Sequence, residues 1–177
     1  RLGVTSHVNV NAVKEYYNRI IRFLIYGNCL KNNTYPLSVS AERLSQALHI
    51  AERVKALKAD AVAHGSTGAG NDQVRFDMIF HILLPGVEII TPIRDYRLSR
   101  EEEISYLQKK GVSIQAEKAA YSINKGLWGT SIGGKETLHS KGYIPEEAWP
   151  TQVTKKNPEE VTLNFQKGEL VAVNGRT

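Results

Sequence analysis

The sequence has 177 residues, a formal net charge of +5 at pH 7 and one cysteine, Cys29. A single cysteine excludes an internal disulfide and a metal site built from several thiolates. The positive charges are scattered, which does not favour a nucleic-acid partner, and no apolar run approaches the roughly 20 residues that a membrane span requires. We therefore expect a globular cytoplasmic protein with no membrane or nucleic-acid partner.

The first part of the chain predicts one strand and two helices. Alternating valines predict a strand over residues 4–10. Apolar residues at helical spacing predict a helix over residues 12–25 and another over residues 40–57, for which Ser40 is the expected N-cap. The second helix leads into a short apolar run at residues 61–63, which is typical of a buried strand.

The stretch that follows this run contains three glycines separated by small residues, so its backbone can approach a ligand closely. Asn71 and Asp72 then begin a helix, which Pro85 ends. The amides of such a turn and of the helix N-terminus form a site for phosphate or carboxylate groups. The turn lacks the Gly-Lys-Ser/Thr of a Walker A loop. As a general pattern it is therefore only weak evidence for phosphate binding.

Arg75 lies in the first turn of the same helix, on the face of Asn71 and Asp72. A cation there opposes the helix dipole, so it requires either a bound anion or a carboxylate partner. One interpretation is a surface pair between Asp72 and Arg75, with glycines that only turn the chain. The other is an anion site. His64, which precedes the glycines, has no acidic neighbour in the sequence to orient it, and this favours a structural role.

The rest of the chain predicts an α/β domain followed by a different architecture. A second buried strand over residues 87–92 follows the central helix, and this order implies a parallel sheet with ligand sites at the carboxyl ends of its strands. Ser99 and Glu102 form a capping box at the start of another helix. Helical periodicity then fades. Segment 120–131 is expected to be irregular, and residues 160–174 predict a β-hairpin.

The sequence of the glycine-rich stretch resembles that of one enzyme family. Residues 64–76 read His-Gly-Ser-Thr-Gly-Ala-Gly-Asn-Asp-Gln-Val-Arg-Phe, which is similar to the central signature of argininosuccinate synthase, the ATP-dependent ligase that joins citrulline to aspartate. Segments 99–104 and 120–131 extend the resemblance. It implies a nucleotide-binding domain of the adenine nucleotide alpha hydrolase-like (N-type ATP pyrophosphatase) kind over residues 1–112. The beginning of an α+β synthetase domain, with the β-hairpin, would occupy residues 113–177.

The resemblance implies a reaction in two steps. The ureido oxygen of citrulline attacks the α-phosphate of ATP and releases pyrophosphate, and the amine of aspartate then displaces AMP. This chemistry requires positioning, Mg²⁺ brought with ATP and charge neutralisation more than a protein nucleophile. We therefore assign no residue as catalytic and none as a metal ligand. The family resemblance also implies a homotetramer as the parent protein.

The resemblance implies three overlapping sets of ligand-binding residues. The ATP-binding set is Ala63, His64, Gly65, Ser66, Thr67, Gly68, Ala69, Gly70 and Asn71. The aspartate-binding set is Thr67, Asn71 and Asp72. The citrulline-binding set is Tyr35, Ser40, Asn71, Arg75, Ser122 and Ser131.

Several positions depart from the family pattern. Ala69 stands where the family has lysine, and the loss of that charge should weaken contact with phosphate or carboxylate oxygens. Asp77 replaces the usual glutamate, which is a milder change. Val39 replaces a threonine, and Gly133 stands where the family commonly has glutamate.

The resemblance covers the whole chain but only the middle of the family. The family's Ser-Gly-Gly-x-Asp phosphate loop and the C-terminal half of its synthetase domain have no counterpart here, so we expect a central fragment that is inactive by itself. The alternative is a stand-alone nucleotide-binding or regulatory module of the same fold. Arg75, Ser122 and Ser131 favour the ligase, because a nucleotide-only module does not require an amino-acid site.

Overall fold

The computed structural model describes residues 3–68, 70–112 and 121–177, with the backbone alone at Arg100 and Lys135. Ala69, one of the predicted ATP-binding residues, lies outside the described residues. So does residue 113, where the second predicted domain begins.

The N-terminal segment is irregular and leads into a helix with a widened middle turn. Residues 4–10 form no strand, and their valines are exposed. The prediction of a strand there is wrong, since alternation alone does not supply a neighbouring strand to pair with. The predicted helix is present as α1 (Val13–Tyr16), a π-helical turn (Tyr17–Ile21) and α2 (Arg22–Tyr26).

The long helix α3 (Ser38–Leu57) begins two residues before the predicted start. Ser40 is therefore not its N-cap: its hydroxyl donates to the carbonyl of Leu37 at 3.1 Å. The hydroxyl of Tyr35 takes the capping role, because it accepts the backbone amides of Val39 at 3.0 Å and of Ser40 at 3.4 Å. Two unpaired amides of a helix N-terminus are thus satisfied by a side chain outside the helix.

A parallel β-α-β unit follows α3 and forms the core. Strand β1 (Ala61–Ala63), helix α4 (Asp72–Leu83) and strand β2 (Glu88–Ile90) are consecutive, and the two strands pair in parallel as predicted. Burying a side chain such as Phe80, which is 1% exposed, contributes about 1.5–3 kcal/mol to stability. The buried cluster between α3, β1 and α4 consists of Ala47, Ala51, Val54, Val62, Phe80 and Leu84.

Two further helices follow β2. Helix α5 (Pro92–Asp95) is a single turn, and α6 (Arg100–Lys109) begins with the predicted capping box. The hydroxyl of Ser99 accepts the amide of Glu102 at 3.2 Å, and the Glu102 carboxylate accepts the amide of Ser99 at 2.7 Å. The capping box is therefore confirmed.

The segment after residue 120 was expected to be irregular, but it forms an antiparallel hairpin of β3 (Ser122–Gly126) and β4 (Gly129–Gly133). Gly129 has φ of +144°, a conformation that side-chain-bearing residues rarely adopt. The indole of Trp128 donates to the carbonyl of Pro36 at 3.0 Å. This contact fixes the hairpin against the start of α3.

The last part of the chain contains the hairpin that the sequence predicts. Strands β5 (Leu163–Gln166) and β6 (Glu169–Val173) pair in antiparallel fashion. Lys167 and Gly168 both have positive φ, which matches the right-handed twist of a two-residue hairpin turn. Two 3-10 turns, Lys135–Leu138 and Glu146–Ala148, precede this hairpin. In the described part of the chain, every helix is too short or too polar to span a membrane.

Candidate functional site

A cleft of about 670 Å³ opens at the carboxyl end of β1. Its walls are the glycine turn after β1, the first turn of α4, one face of α3 and the first residues of β3. The α/β part of the chain and the β3–β4 hairpin therefore contribute to one site. A location at the end of a parallel strand agrees with the general position of ligand sites in α/β proteins.

Three charged side chains form a cluster at the N-terminus of α4. Asp72 binds Arg75 through one carboxylate oxygen, at 2.7 Å, and Arg43 of α3 through the other, at 3.1 Å. The three side chains are 23% to 34% exposed. The pair of Asp72 and Arg75 therefore lies in the cleft and not on an open surface. Two guanidinium groups share one carboxylate, and this excess of positive charge at a helix N-terminus favours a bound anion.

Arg43 also connects the two sides of the cleft. Its Nη2 donates to the side-chain oxygen of Asn124 on β3 at 3.1 Å, while its Nη1 donates to Gln46 at 3.0 Å. All three nitrogens of this guanidinium group thus have a partner in the site. The planar group fixes the distance between α3, α4 and β3.

His64 lies at the start of the glycine turn and is only 7% exposed at its side chain. Its Nδ1 accepts the backbone amide of Ser66 at 3.3 Å, and its Nε2 lies 2.9 Å from Asp77 of α4. The proton therefore belongs on Nε2. The imidazole stacks on Phe76 with a centroid distance of 5.4 Å. The sequence shows no acidic partner for His64, and the structure supplies one 13 residues further along the chain.

Arg94 of α5 completes the surroundings of Asp77. Its Nη1 donates to the second carboxylate oxygen of Asp77 and also to the side chain of Gln73 at 3.1 Å. Burial by itself would raise the pKa of Asp77, but hydrogen bonds from Arg94 and His64 outweigh it and hold that pKa below its ordinary value. The amide of Gln73 in turn donates to the carbonyl of Gly68 at 2.6 Å.

Comparison with known proteins identifies the family to which this chain belongs. A model of the arginosuccinate synthase N-terminal HUP domain matches residues 1–113 of the chain. The chain belongs to the argininosuccinate synthase family. It therefore has the α/β nucleotide-binding fold of the HUP domain, as the sequence predicts.

Curated argininosuccinate synthases are similar along almost the whole chain. The protein from Saccharolobus solfataricus is 41% identical over 175 residues, which are 98% of this chain and 44% of that protein. The protein from Methanocaldococcus jannaschii is 41% identical over 179 residues, or 99% of this chain and 45% of that protein. The protein from Sulfurisphaera tokodaii is 40% identical over 174 residues. The chain thus spans less than half the length of these relatives.

The cleft brings together residues from all three sets that the resemblance to argininosuccinate synthase implies. They lie on β3, along the turn that joins β1 to α4 and in the first turn of α4. The members that line the cleft are His64, Gly65, Ser66, Thr67, Gly70, Asn71, Asp72, Arg75 and Ser122.

Other implied residues lie outside the cleft wall. Ala63 lines a separate groove between β1 and the N-terminal segment. Tyr35 and Ser40 lie together at the start of α3, where their hydroxyls bond to the backbone. Ser131 is paired with Asn124 across the β3–β4 hairpin, so both side chains lie on one face of it, beside the cleft. The carbonyl of Gly68 accepts a hydrogen bond from the side-chain amide of Gln73.

Sequence reasoning missed several residues of this cleft and its support. In the sequence, Arg43 is an ordinary charged residue within a predicted helix, and Asn124 has no distinguishing pattern. Their bond joins positions 81 residues apart, so local patterns do not reveal it. Gln73 and Arg94 were likewise not singled out, because Arg94 meets Gln73 and Asp77 from 21 and 17 residues away.

Proposed function

We propose that the protein to which this chain belongs catalyses the ATP-dependent ligation of citrulline and aspartate to argininosuccinate, with release of AMP and pyrophosphate. The observation that carries the proposal is the cluster of Asp72, Arg75 and Arg43 at the N-terminus of α4. It lies in the same cleft as the glycine turn and Ser122. A site with both a phosphate-type turn and paired charges for an amino acid suits a ligase of this kind.

The backbone amides of the glycine turn are hydrogen-bond donors of the kind that suits the phosphates of ATP. Asn71 makes no side-chain hydrogen bond to the first turn of α4, so the amides at this helix N-terminus are not capped by it. Such amides and the helix dipole attract phosphate oxygens. We assign residues 63–71 to ATP, whose α-phosphate is the electrophile for the first step. Mg²⁺ would accompany the phosphates of ATP.

The charged cluster suits the two amino acids. We assign the Arg75 guanidinium to the carboxylate of citrulline, which it would bind in a bidentate contact. We assign Asp72 to accept from the amine of aspartate, with Thr67 and Asn71 as further aspartate-binding residues. In the second step this amine must lose a proton and attack the carbon activated by AMP, so its orientation decides the rate more than any protein nucleophile does.

The hydroxyl residues of β3, β4 and the start of α3 complete the proposed citrulline site. Ser122 and Ser131 would contact citrulline from the hairpin, together with Ser40. Tyr35 accepts backbone amides, so its own O–H remains available to donate. Burial would raise the pKa of Tyr35, but hydrogen bonds from the first residues of α3 outweigh it and lower the pKa, which strengthens the hydroxyl as a donor.

The finer features of the parent protein are part of the same proposal. We assign residues 1–112 to a domain of the N-type ATP pyrophosphatase kind and residues 113–177 to the start of an α+β synthetase domain. The β-α-β unit and the change to antiparallel hairpins support this division. We propose a cytoplasmic homotetramer. The proposed use of ATP as a substrate supports an intracellular location.

The test is the formation of AMP and argininosuccinate by the full-length gene product that contains this chain. We expect Arg75→Ala to lower kcat/KM for citrulline about 10- to 100-fold, because a charged hydrogen-bond partner is lost. Arg19→Ala is the matched control, since Arg19 also pairs with a carboxylate, that of Glu15, but on the exposed face of the N-terminal helix. A full-length protein that binds ATP but gives no product would contradict the proposal and favour a nucleotide-binding module.

A further inference from the structure

A closed circuit of hydrogen bonds holds the glycine turn at two points. From the amide of Ser66 the circuit passes through His64, Asp77, Arg94 and Gln73, and it returns to the turn at the carbonyl of Gly68. We call the four side chains of His64, Gln73, Asp77 and Arg94 the loop clamp. Thr67 is the residue between the two points at which the clamp meets the turn.

The loop clamp is supported from outside the turn. Arg94 also donates through Nη2 to the hydroxyl of Thr91 at 3.0 Å, and Thr91 is 1% exposed and bonds the carboxylate of Asp95. The stem of Arg94 lies beside the turn as well, because a Cβ placed on Gly68 would be 3.5 Å from Arg94 Cγ. The clamp therefore connects the turn to the buried residue that follows β2.

Three of the four clamp residues do not line the cleft. His64 lines the cleft, whereas Gln73, Asp77 and Arg94 are not among its lining residues. They connect to the cleft through His64, which lines it, and through Gly68, which follows the lining residue Thr67. A group of this kind sets the shape of a loop without contacting what binds to it.

We propose that Gln73, Asp77 and Arg94 are positioning residues that hold residues 66–68 in the conformation required for ATP and aspartate. The ligand identities rest on the proposed function, but the effect on the turn does not. Because Arg75 and Ser122 lie outside the circuit, opening it should impair ATP and aspartate more than citrulline. Glutamate at position 77 keeps both carboxylate oxygens, so Asp77→Glu should retain the clamp.

The experiment compares the full-length gene product with Asp77→Asn, Gln73→Leu and Asp77→Glu. Hydrogen–deuterium exchange of the peptide that covers residues 64–72 measures the turn directly. Steady-state kinetics give separate KM values for ATP, aspartate and citrulline. Glu15→Gln is the matched carboxylate-to-amide control, because Glu15 pairs with Arg19 away from the cleft.

We expect exchange to be about tenfold faster in Asp77→Asn and Gln73→Leu, which lose hydrogen bonds of the circuit, and near the wild-type rate in Asp77→Glu and the control. The KM for ATP should rise with the exchange rate, while the KM for citrulline changes less than about twofold. In the double variant Asp77→Asn/Gln73→Leu, the two effects on the exchange rate should be less than additive, because both substitutions open the same circuit.

The outcomes separate the clamp from the proposed function. Unchanged exchange in Gln73→Leu would overturn the clamp whatever the activity, and this variant decides the matter if Asp77→Asn does not fold. Equal rises in all three KM values would also overturn it, since they indicate a general structural defect. Faster exchange in a protein without ligase activity would retain the clamp and overturn the proposed function.

Discussion

Arg43 binds the carboxylate of Asp72 at 3.1 Å although the two residues are 29 positions apart, on α3 and α4. The same guanidinium reaches Asn124 of the β3–β4 hairpin. One side chain therefore joins three elements around the cleft, and it neutralises the carboxylate that would face the amine of aspartate. The charge of Asp72 is shared between two arginines before any ligand arrives.

We expect Arg43→Ala to weaken both the fold and the proposed aspartate site. The substitution leaves one oxygen of Asp72 and the oxygen of Asn124 without their charged partner, at a cost of about 1–3 kcal/mol. Urea denaturation of the full-length gene product measures the loss, and the KM for aspartate measures the change in the site. Arg53→Ala, on the exposed side of the same helix, should leave both quantities unchanged. A similar loss in both variants would contradict the role given to Arg43.

A second prediction concerns the contact between the β3–β4 hairpin and α3. Trp128→Phe keeps an aromatic ring but removes the N–H that donates to the carbonyl of Pro36, so we expect a loss of about 0.5–1.5 kcal/mol in the free energy of unfolding. Because the hairpin carries Ser122 and Ser131, the KM for citrulline should rise as well. Trp149, which is 52% exposed, provides the control Trp149→Phe. Equal stability of the two variants would show that the indole contact does not hold the hairpin.

Local features of the fold could be predicted from the sequence, whereas contacts across the chain could not. The capping box of Ser99 and Glu102 and the turn at Lys167 depend on neighbouring residues, and both are present. The strand expected at residues 4–10 requires a partner strand, which alternation does not guarantee. The β3–β4 hairpin was missed because its turn lacks the usual Asn-Gly or Asp-Gly pair.

The candidate site shows the same division. The residues of the glycine turn and the first turn of α4 are contiguous, so a motif identifies them together, and the structure places most of them in one cleft. The partners that orient them are distant in sequence. Asp77 orients His64 from 13 residues away, and Arg94 meets Asp77 from 17 residues away. Helix α4 brings Asp77 to His64, and the return of the chain through β2 brings Arg94 to the same carboxylate.

The depressed pKa of Asp77 predicts a specific dependence of stability on pH. Burial opposes ionisation, but the hydrogen bonds from Arg94 and His64 favour the carboxylate and lower its pKa in the folded protein. A group with a lowered folded pKa stabilises the fold above its unfolded pKa of about 3.9, and this stabilisation disappears as the pH falls through the folded value.

Asp77→Asn should therefore lower the free energy of unfolding at pH 6 more than at pH 3. Chemical denaturation of the full-length gene product at the two pH values measures the difference. Asp60→Asn, at an exposed aspartate before β1, is the matched control. If the difference between Asp77→Asn and wild type is the same at both pH values, the charge of Asp77 does not contribute to stability through its pairs.

The last prediction concerns Thr91, the buried hydroxyl behind the loop clamp. It is 1% exposed, donates to the carboxylate of Asp95 at 2.8 Å and accepts from Arg94 at 3.0 Å. Thr91→Val has almost the same shape but leaves both partners without that bond, so we expect a loss of about 1–3 kcal/mol in the free energy of unfolding. Thr91→Ser keeps the hydroxyl and should lose less, apart from the cost of the missing methyl group.

Urea denaturation ranks the two Thr91 variants, and Thr151→Val at an exposed position controls for the change in side-chain polarity. Because Thr91 positions Arg94, Thr91→Val should also speed hydrogen exchange in residues 64–72, whereas Thr91→Ser should not. A valine variant that is destabilised without any change in that peptide would place Thr91 in the packing of α5 alone and remove it from the support of the glycine turn.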